Sequence, residues 1–99
     1  MKILVSPGFG AGWSTWAHSN QKQVAEYEPI IEYIENGGDP SELRDDHELV
    51  IQMKKDLAMS YFFTGGAADL IVKELKDNTA YRINEYDGSE SVQTSADFW

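Results

Sequence analysis

Cysteine is absent from this chain. That excludes disulfide staples and thiolate metal sites, and it fits a reducing cytoplasm. Basic residues are scarce: eight Lys and Arg stand against 17 Asp and Glu, for a net charge of −9. Phosphate contacts need clustered Lys and Arg, so direct nucleic-acid binding is disfavoured. Docking on anionic membrane surfaces is disfavoured on the same ground. No apolar run approaches the roughly 18 residues of a membrane-spanning helix. The opening run Ile3-Leu4-Val5 is too short for the apolar segment of a signal peptide. The chain is therefore read as a soluble cytoplasmic protein. Histidine is also sparse, with only His18 and His47. A Ser14–His18–acid set lacks the surrounding pattern of a known nucleophile turn, and no catalytic residue is assigned.

What is present suffices for one core. The 99 residues make a single domain, 1–99. A chain of that size buries roughly 60–65% of its unfolded surface. The apolar fraction is a modest 41%, but three Trp, five Tyr and four Phe each bury a large area.

The most unusual stretch is Ser6-Pro7-Gly8-Phe9-Gly10-Ala11-Gly12-Trp13-Ser14-Thr15-Trp16, which follows the apolar run directly. Lys2 to Val5 reads as a short strand that Pro7 and Gly8 terminate. A strand followed by Gly8, Gly10 and Gly12 invites a phosphate-binding reading, because glycine lets backbone N–H groups approach an anion. The spacing is not that of a dinucleotide or P-loop fingerprint, and no Gly-Lys-Ser/Thr follows. The alternatives are a tight turn whose Trp13 and Trp16 fill core, or a ligand or partner loop that includes Ser14. Thr64-Gly65-Gly66 is a second glycine turn. If it faces the first, the two make a shallow cleft walled by Trp13, Trp16 and Phe63. Arg82, one of only two arginines, is a candidate ligand contact there, though a lone Arg in a strand more often pairs with an acid such as Glu85 or Glu90.

Downstream the pattern turns helical. Val24, Tyr27, Ile31 and Ile34 share one helix face, with Pro29 either kinking the helix or opening a second one. Gly37-Gly38 stops it. Asp39-Pro40 opens the next helix, and Leu43, Val50, Met53 and Leu57 carry its apolar face to about Ala58, with Asp45-Asp46 as an interruption. The period then changes. Strands are expected over 69–75, 79–86 and 89–94, joined by the Lys76-Asp77-Asn78 turn and a two-residue type I′ turn at Asp87-Gly88. The expected fold is α+β: a short N-terminal strand, two to three helices, then a three-stranded antiparallel meander in one sheet with the helices on one face. The tail ends in Phe98-Trp99, either docked or a point of self-association into homo-oligomers.

Charge is distributed unevenly. Glu26, Glu28, Glu32, Glu35, Asp39, Glu42, Asp45, Asp46 and Glu48 are accompanied by one base, Arg44, so this block carries a net −8 of the total −9. Solvated helix faces usually mix signs in i,i+4 pairs, and this one does not. The block is either a solubilising face or a surface that docks on a basic groove, imitating the phosphate array of DNA. Metal binding by Asp45, Asp46, His47 and Glu48 is discounted, because consecutive residues do not share a helix face. No cofactor is assigned.

The opening from Met1 to Trp16, together with Thr64-Gly65-Gly66-Ala67-Ala68-Asp69-Leu70 and Arg82-Ile83-Asn84-Glu85-Tyr86-Asp87-Gly88-Ser89-Glu90, resembles a family of short acidic bacteriophage and prophage proteins without an assigned activity. The resemblance brings no catalytic residues. It implies a phage protein at work in the host bacterial cytoplasm. Small acidic proteins in that setting bind and block host defence machinery, CRISPR effectors included, so the implied partner is a host protein with a basic surface. A small-molecule or nucleotide-binding role for the glycine-rich loop stands as the alternative.

Overall fold

The computed structural model describes residues 1–95. The expected Phe98-Trp99 tail lies outside them. Strand β1 (Lys2–Val5) is the apolar run, and Ile3, Leu4 and Val5 are all buried. It pairs antiparallel with β2 (Ile71–Glu74), from Lys2 opposite Glu74 to Val5 opposite Ile71. β3 (Tyr81–Tyr86) and β4 (Ser89–Thr94) form a separate antiparallel pair. Their turn is the expected one: Asp87 and Gly88 both have positive φ, at 49° and 84°, as a type I′ loop requires.

The fold is α+β with an N-terminal strand and helices, but its strands form two two-stranded sheets rather than one three-stranded meander. The expected third partner, β2, is taken by β1. A strand buried along nearly its whole length needs its backbone groups paired, and β2 supplies the partners. The two sheets meet at Ser6, whose carbonyl accepts the N–H of Glu90 at 2.9 Å.

Three helices cover the core side. Helix α1 (Gln21–Ala25) and helix α2 (Glu28–Glu35) split at Tyr27, with Pro29 in the first turn of α2, where its missing N–H costs nothing. Gly37 and Gly38 end α2 by donating to the Ile34 and Tyr33 carbonyls, the double bond of a Schellman stop. The segment at Asp39-Pro40 makes a single 3-10 turn over Pro40–Glu42, capped by Asp39, which accepts the Ser41 N–H. The Ser41 hydroxyl, which also donates to Asp39, and then that backbone bond hold the Asp39 carboxyl below its ordinary range. The expected interruption at Asp45-Asp46 is present. Helix α3 (Glu48–Asp56) restarts with His47 as its cap, Nδ1 accepting the Leu49 N–H at 3.0 Å. The core gathers Leu4, Trp13, Val24, Ile30, Ile31, Leu43, Val50, Met53 and Phe62. The apolar spacing of the helical segments therefore names Val24, Tyr27, Ile31, Leu43, Val50 and Met53 correctly, misses the buried Ile30, and includes Ile34 and Leu57, which are only partly buried.

Tyr27 ties the α1–α2 junction to the end of α3. Its hydroxyl donates to Asp56 at 2.6 Å, and Gln52 donates to the other oxygen of that carboxylate. The Tyr27 and Gln52 bonds hold the Asp56 carboxyl below its usual range. Burial, then the bond to Asp56, pushes the Tyr27 hydroxyl up. A depressed carboxyl adds stability that is present above its unfolded pKa and lost as pH falls through the folded one. A raised hydroxyl adds stability that is present below its unfolded pKa and lost as pH rises. The difference in unfolding free energy between the native chain and Tyr27→Phe is thus expected to stay flat around neutrality. It narrows below about pH 4 and above about pH 10, as urea titrations across pH would record.

Candidate functional site

The glycine-rich loop leaves β1 at Ser6 and lies wedged between two turns. On one side is the β3–β4 hairpin: Gly10 N–H donates to the Asp87 carbonyl at 2.7 Å, and the Ser89 hydroxyl donates to the Pro7 carbonyl at 2.6 Å. A Cβ at Gly88 would sit 2.2 Å from the Ala11 nitrogen, so only glycine lets the hairpin approach so closely. On the other side is the Thr64-Gly65-Gly66 turn. A Cβ at Gly66 would sit 2.4 Å from the Gly12 carbonyl oxygen, and the Ser6 hydroxyl donates to the Gly66 carbonyl at 2.7 Å. The two glycine turns do face each other, and their backbones touch at Gly66 and Gly12.

The loop closes around a side chain. Glu90, 2% exposed, reaches under it from β4. Its Oε1 accepts the Ser6 N–H at 2.9 Å, and its Oε2 accepts the Trp13 N–H at 2.7 Å and the Thr15 N–H at 3.0 Å. The Thr15 hydroxyl also donates to Oε2. The Ser6, Trp13 and Thr15 N–H groups thus bind the protein's own carboxylate. Trp13 is fully buried, its ring edge-to-face with Phe62 at 4.7 Å. Its indole Nε1 has no hydrogen-bond partner among the described residues.

Trp16 behaves differently. It stacks on Phe63 at 5.6 Å with 23° between the rings, stays 36% exposed, and donates from Nε1 to Glu85 at 3.3 Å. Ser14 is buried in the 3-10 turn Ser14–Trp16. That turn also borders a half-open groove of about 950 Å³ between α1 and the start of β3, where Thr15, Lys22, Asp77, Tyr81 and Arg82 line the walls. Gly8, Gly10, Gly12, Trp13, Trp16, Thr64, Gly65 and Gly66 are thus drawn into one assembly, while Arg82 lines the groove beside it. Among the described residues no group of three or more His, Asp or Glu side chains is placed to hold a metal, and no helix is long and apolar enough to cross a membrane.

The acidic block runs from the end of α1 through α2 and the 3-10 turn to the start of α3. Glu28, Glu32 and Glu35 fall on one exposed face of α2, opposite the buried Ile30 and Ile31. Glu35 pairs with Lys2 at 2.9 Å, and Asp45 accepts the Thr64 hydroxyl at 3.1 Å. Asp39, Glu42, Asp46 and Glu48 are exposed. Glu26 is half-buried and accepts the Tyr81 hydroxyl, and burial followed by that bond pushes the Tyr81 hydroxyl up.

Sequence reasoning missed Glu90 as the centre of the loop. The one available signal was alternation: Glu90 shares a face of β4 with the half-buried Val92. Removing the carboxylate leaves the buried Ser6 and Trp13 N–H groups without acceptors, each worth about 1–3 kcal/mol, and the half-buried Thr15 N–H beside them. Glu90→Ala is therefore expected to lower stability by at least about 2 kcal/mol, a melting-temperature loss of more than about 8 °C by circular dichroism. Glu90→Gln turns one acceptor into a donor aimed at other donors, and is expected to cost about as much.

Comparison with protein-family models, curated proteins and solved structures found no match for the chain.

Proposed function

We propose that this chain is a small acidic binding protein, encoded by a bacteriophage, that inhibits or modulates a host factor by stoichiometric association in the bacterial cytoplasm. Anti-CRISPR action, with the acidic surface standing in for DNA, belongs to this class. The observation that carries the reading is the segregation of charge. Eight of the nine block acids are exposed, and the one base among them is Arg44. The rest of the chain is nearly neutral, with seven bases and eight acids. Like charges gathered along one exposed stretch of chain repel one another, and apart from the Glu35–Lys2 pair and the Asp45–Thr64 bond they add little to folding stability. Their use lies in steering toward, and complementing, a basic protein surface. Site residues under this reading are Glu28, Glu32, Glu35, Asp39, Glu42, Asp45, Asp46 and Glu48, with Glu26 at the margin.

A second reading, a small-molecule or nucleotide binder, draws support from the groove beside the glycine loop, where Lys22 and Arg82 stand near the hydroxyls of Thr15 and Tyr81. A nucleotide that binds there must raise the melting temperature by mass action. The acidic-face reading requires no such shift.

The decisive experiment measures association with a basic, nucleic-acid-handling host complex. Affinity is expected to fall at least about tenfold from low to high salt. Joint Lys substitution of Glu32, Glu35, Glu42 and Asp45 is expected to abolish binding while keeping a cooperative melt within a few degrees of the native one, because relief of repulsion offsets the lost Glu35–Lys2 pair and Asp45–Thr64 bond. Binding that survives these substitutions contradicts the proposal.

A further inference from the structure

Two short segments meet beside Asp45, one leaving the 3-10 turn at Trp16 and one leading into the Thr64-Gly65-Gly66 turn. In Trp16-Ala17-His18 the middle residue is buried and its neighbours are exposed. Tyr61-Phe62-Phe63 repeats the alternation. The outward residues meet in pairs, Trp16 on Phe63 and His18 beside Tyr61 with ring centres 6.3 Å apart. The inward pair, Ala17 and Phe62, joins the core. The outcome is a stripe of aromatic rings held in the surface, with Trp16 36%, Phe63 41% and Tyr61 57% exposed. Exposed aromatic clusters of this kind are what protein interfaces use as anchors.

The stripe is bracketed by carboxylates. Glu85 accepts from the Trp16 indole, and Asp45 is joined to Thr64, the residue after Phe63. Glu85 Oε2 also takes the Gly88 N–H at 2.7 Å. A carboxylate offers about four lone-pair directions, so acceptor capacity remains. The stripe is also stiff, since Trp16 follows directly on the Thr15 amide that Glu90 anchors. Little ordering is left for a partner to drive.

We propose that this stripe receives an arginine-bearing segment of a basic partner protein. The guanidinium plane stacks on the Trp16–Phe63 pair and its N–H fork donates to Glu85, with Asp45 at the other edge. The inference rests on the acidic-face reading and names the apolar anchor within it. Arginine fits better than lysine, because a flat, weakly hydrated cation both stacks on a ring and forks onto a carboxylate. A single-stranded nucleic acid also stacks on aromatics, but its phosphates would meet Glu85, Asp45 and the net −8 block. A second copy of this chain would bring those same carboxylates face to face.

The test titrates the full chain with an oligo-arginine peptide, an oligo-lysine peptide of equal length, and oligothymidylate, following tryptophan fluorescence at low salt. The arginine peptide is expected to bind about fivefold more tightly than the lysine peptide. Trp16→Ala is expected to erase that preference and leave lysine-peptide affinity unchanged. Phe63→Leu, which keeps an apolar neighbour beside Trp16, carries the same test if Trp16→Ala loses its cooperative melt. Equal binding of the two peptides overturns this inference alone. So does a preference that survives both variants, tighter binding of oligothymidylate, or a concentration-dependent dimer that Trp16→Ala dissolves. Failure of both peptides to bind overturns the acidic-face reading together with this one.

Discussion

A carboxylate cannot be taken out of water without donors to replace the water, and Glu90 sets that condition for the whole N-terminal half of the structure. It is 2% exposed. Its donors are the N–H groups of Ser6, Trp13 and Thr15 and the Thr15 hydroxyl. These lie more than 70 residues away in the chain, so the loop acquires its shape only once β4 is in place. The same strand donates its Glu90 N–H back to the Ser6 carbonyl, and this exchange joins the two sheets. A buried charge of this kind is weak as a source of net stability but demanding in geometry. It holds Trp13 inward against Phe62 and leaves Trp16 outward on Phe63.

That division of the tryptophans links architecture to surface. The Ser6, Trp13 and Thr15 amides are committed to Glu90. What the loop presents outward is a rigid edge of aromatic rings beside carboxylates. The acidic block stands on separate elements, α2, the 3-10 turn and the start of α3, whose inner faces are spent on Ile30, Ile31, Leu43, Val50 and Met53. The core thus turns eight of the nine acids outward. Under the proposed function, such a surface would act by complementing a cationic partner.

Much of this was legible in the residues. Helical spacing named Val24, Tyr27, Ile31, Val50 and Met53 as core, Gly37-Gly38 as a stop and Asp87-Gly88 as a type I′ turn, because each depends on local geometry alone. Strand partnership was not legible. Whether β2 pairs with β3 or with β1 turns on which strand the core most needs to close, a property of the assembled molecule. The role of Glu90 was hidden for the same reason. A glutamate after a hairpin turn looks like any exposed strand residue until the distant loop that it satisfies is folded over it.

Amide hydrogen exchange at residue resolution tests the central claim most directly. If Glu90 closes the loop as described, the amides of Ser6, Trp13 and Thr15 exchange only through global unfolding, as slowly as the slowest amides of β1, although none of the three lies within a strand or α-helix. Rapid exchange of those amides, at rates typical of solvent-exposed loops while β1 stays protected, would contradict the account.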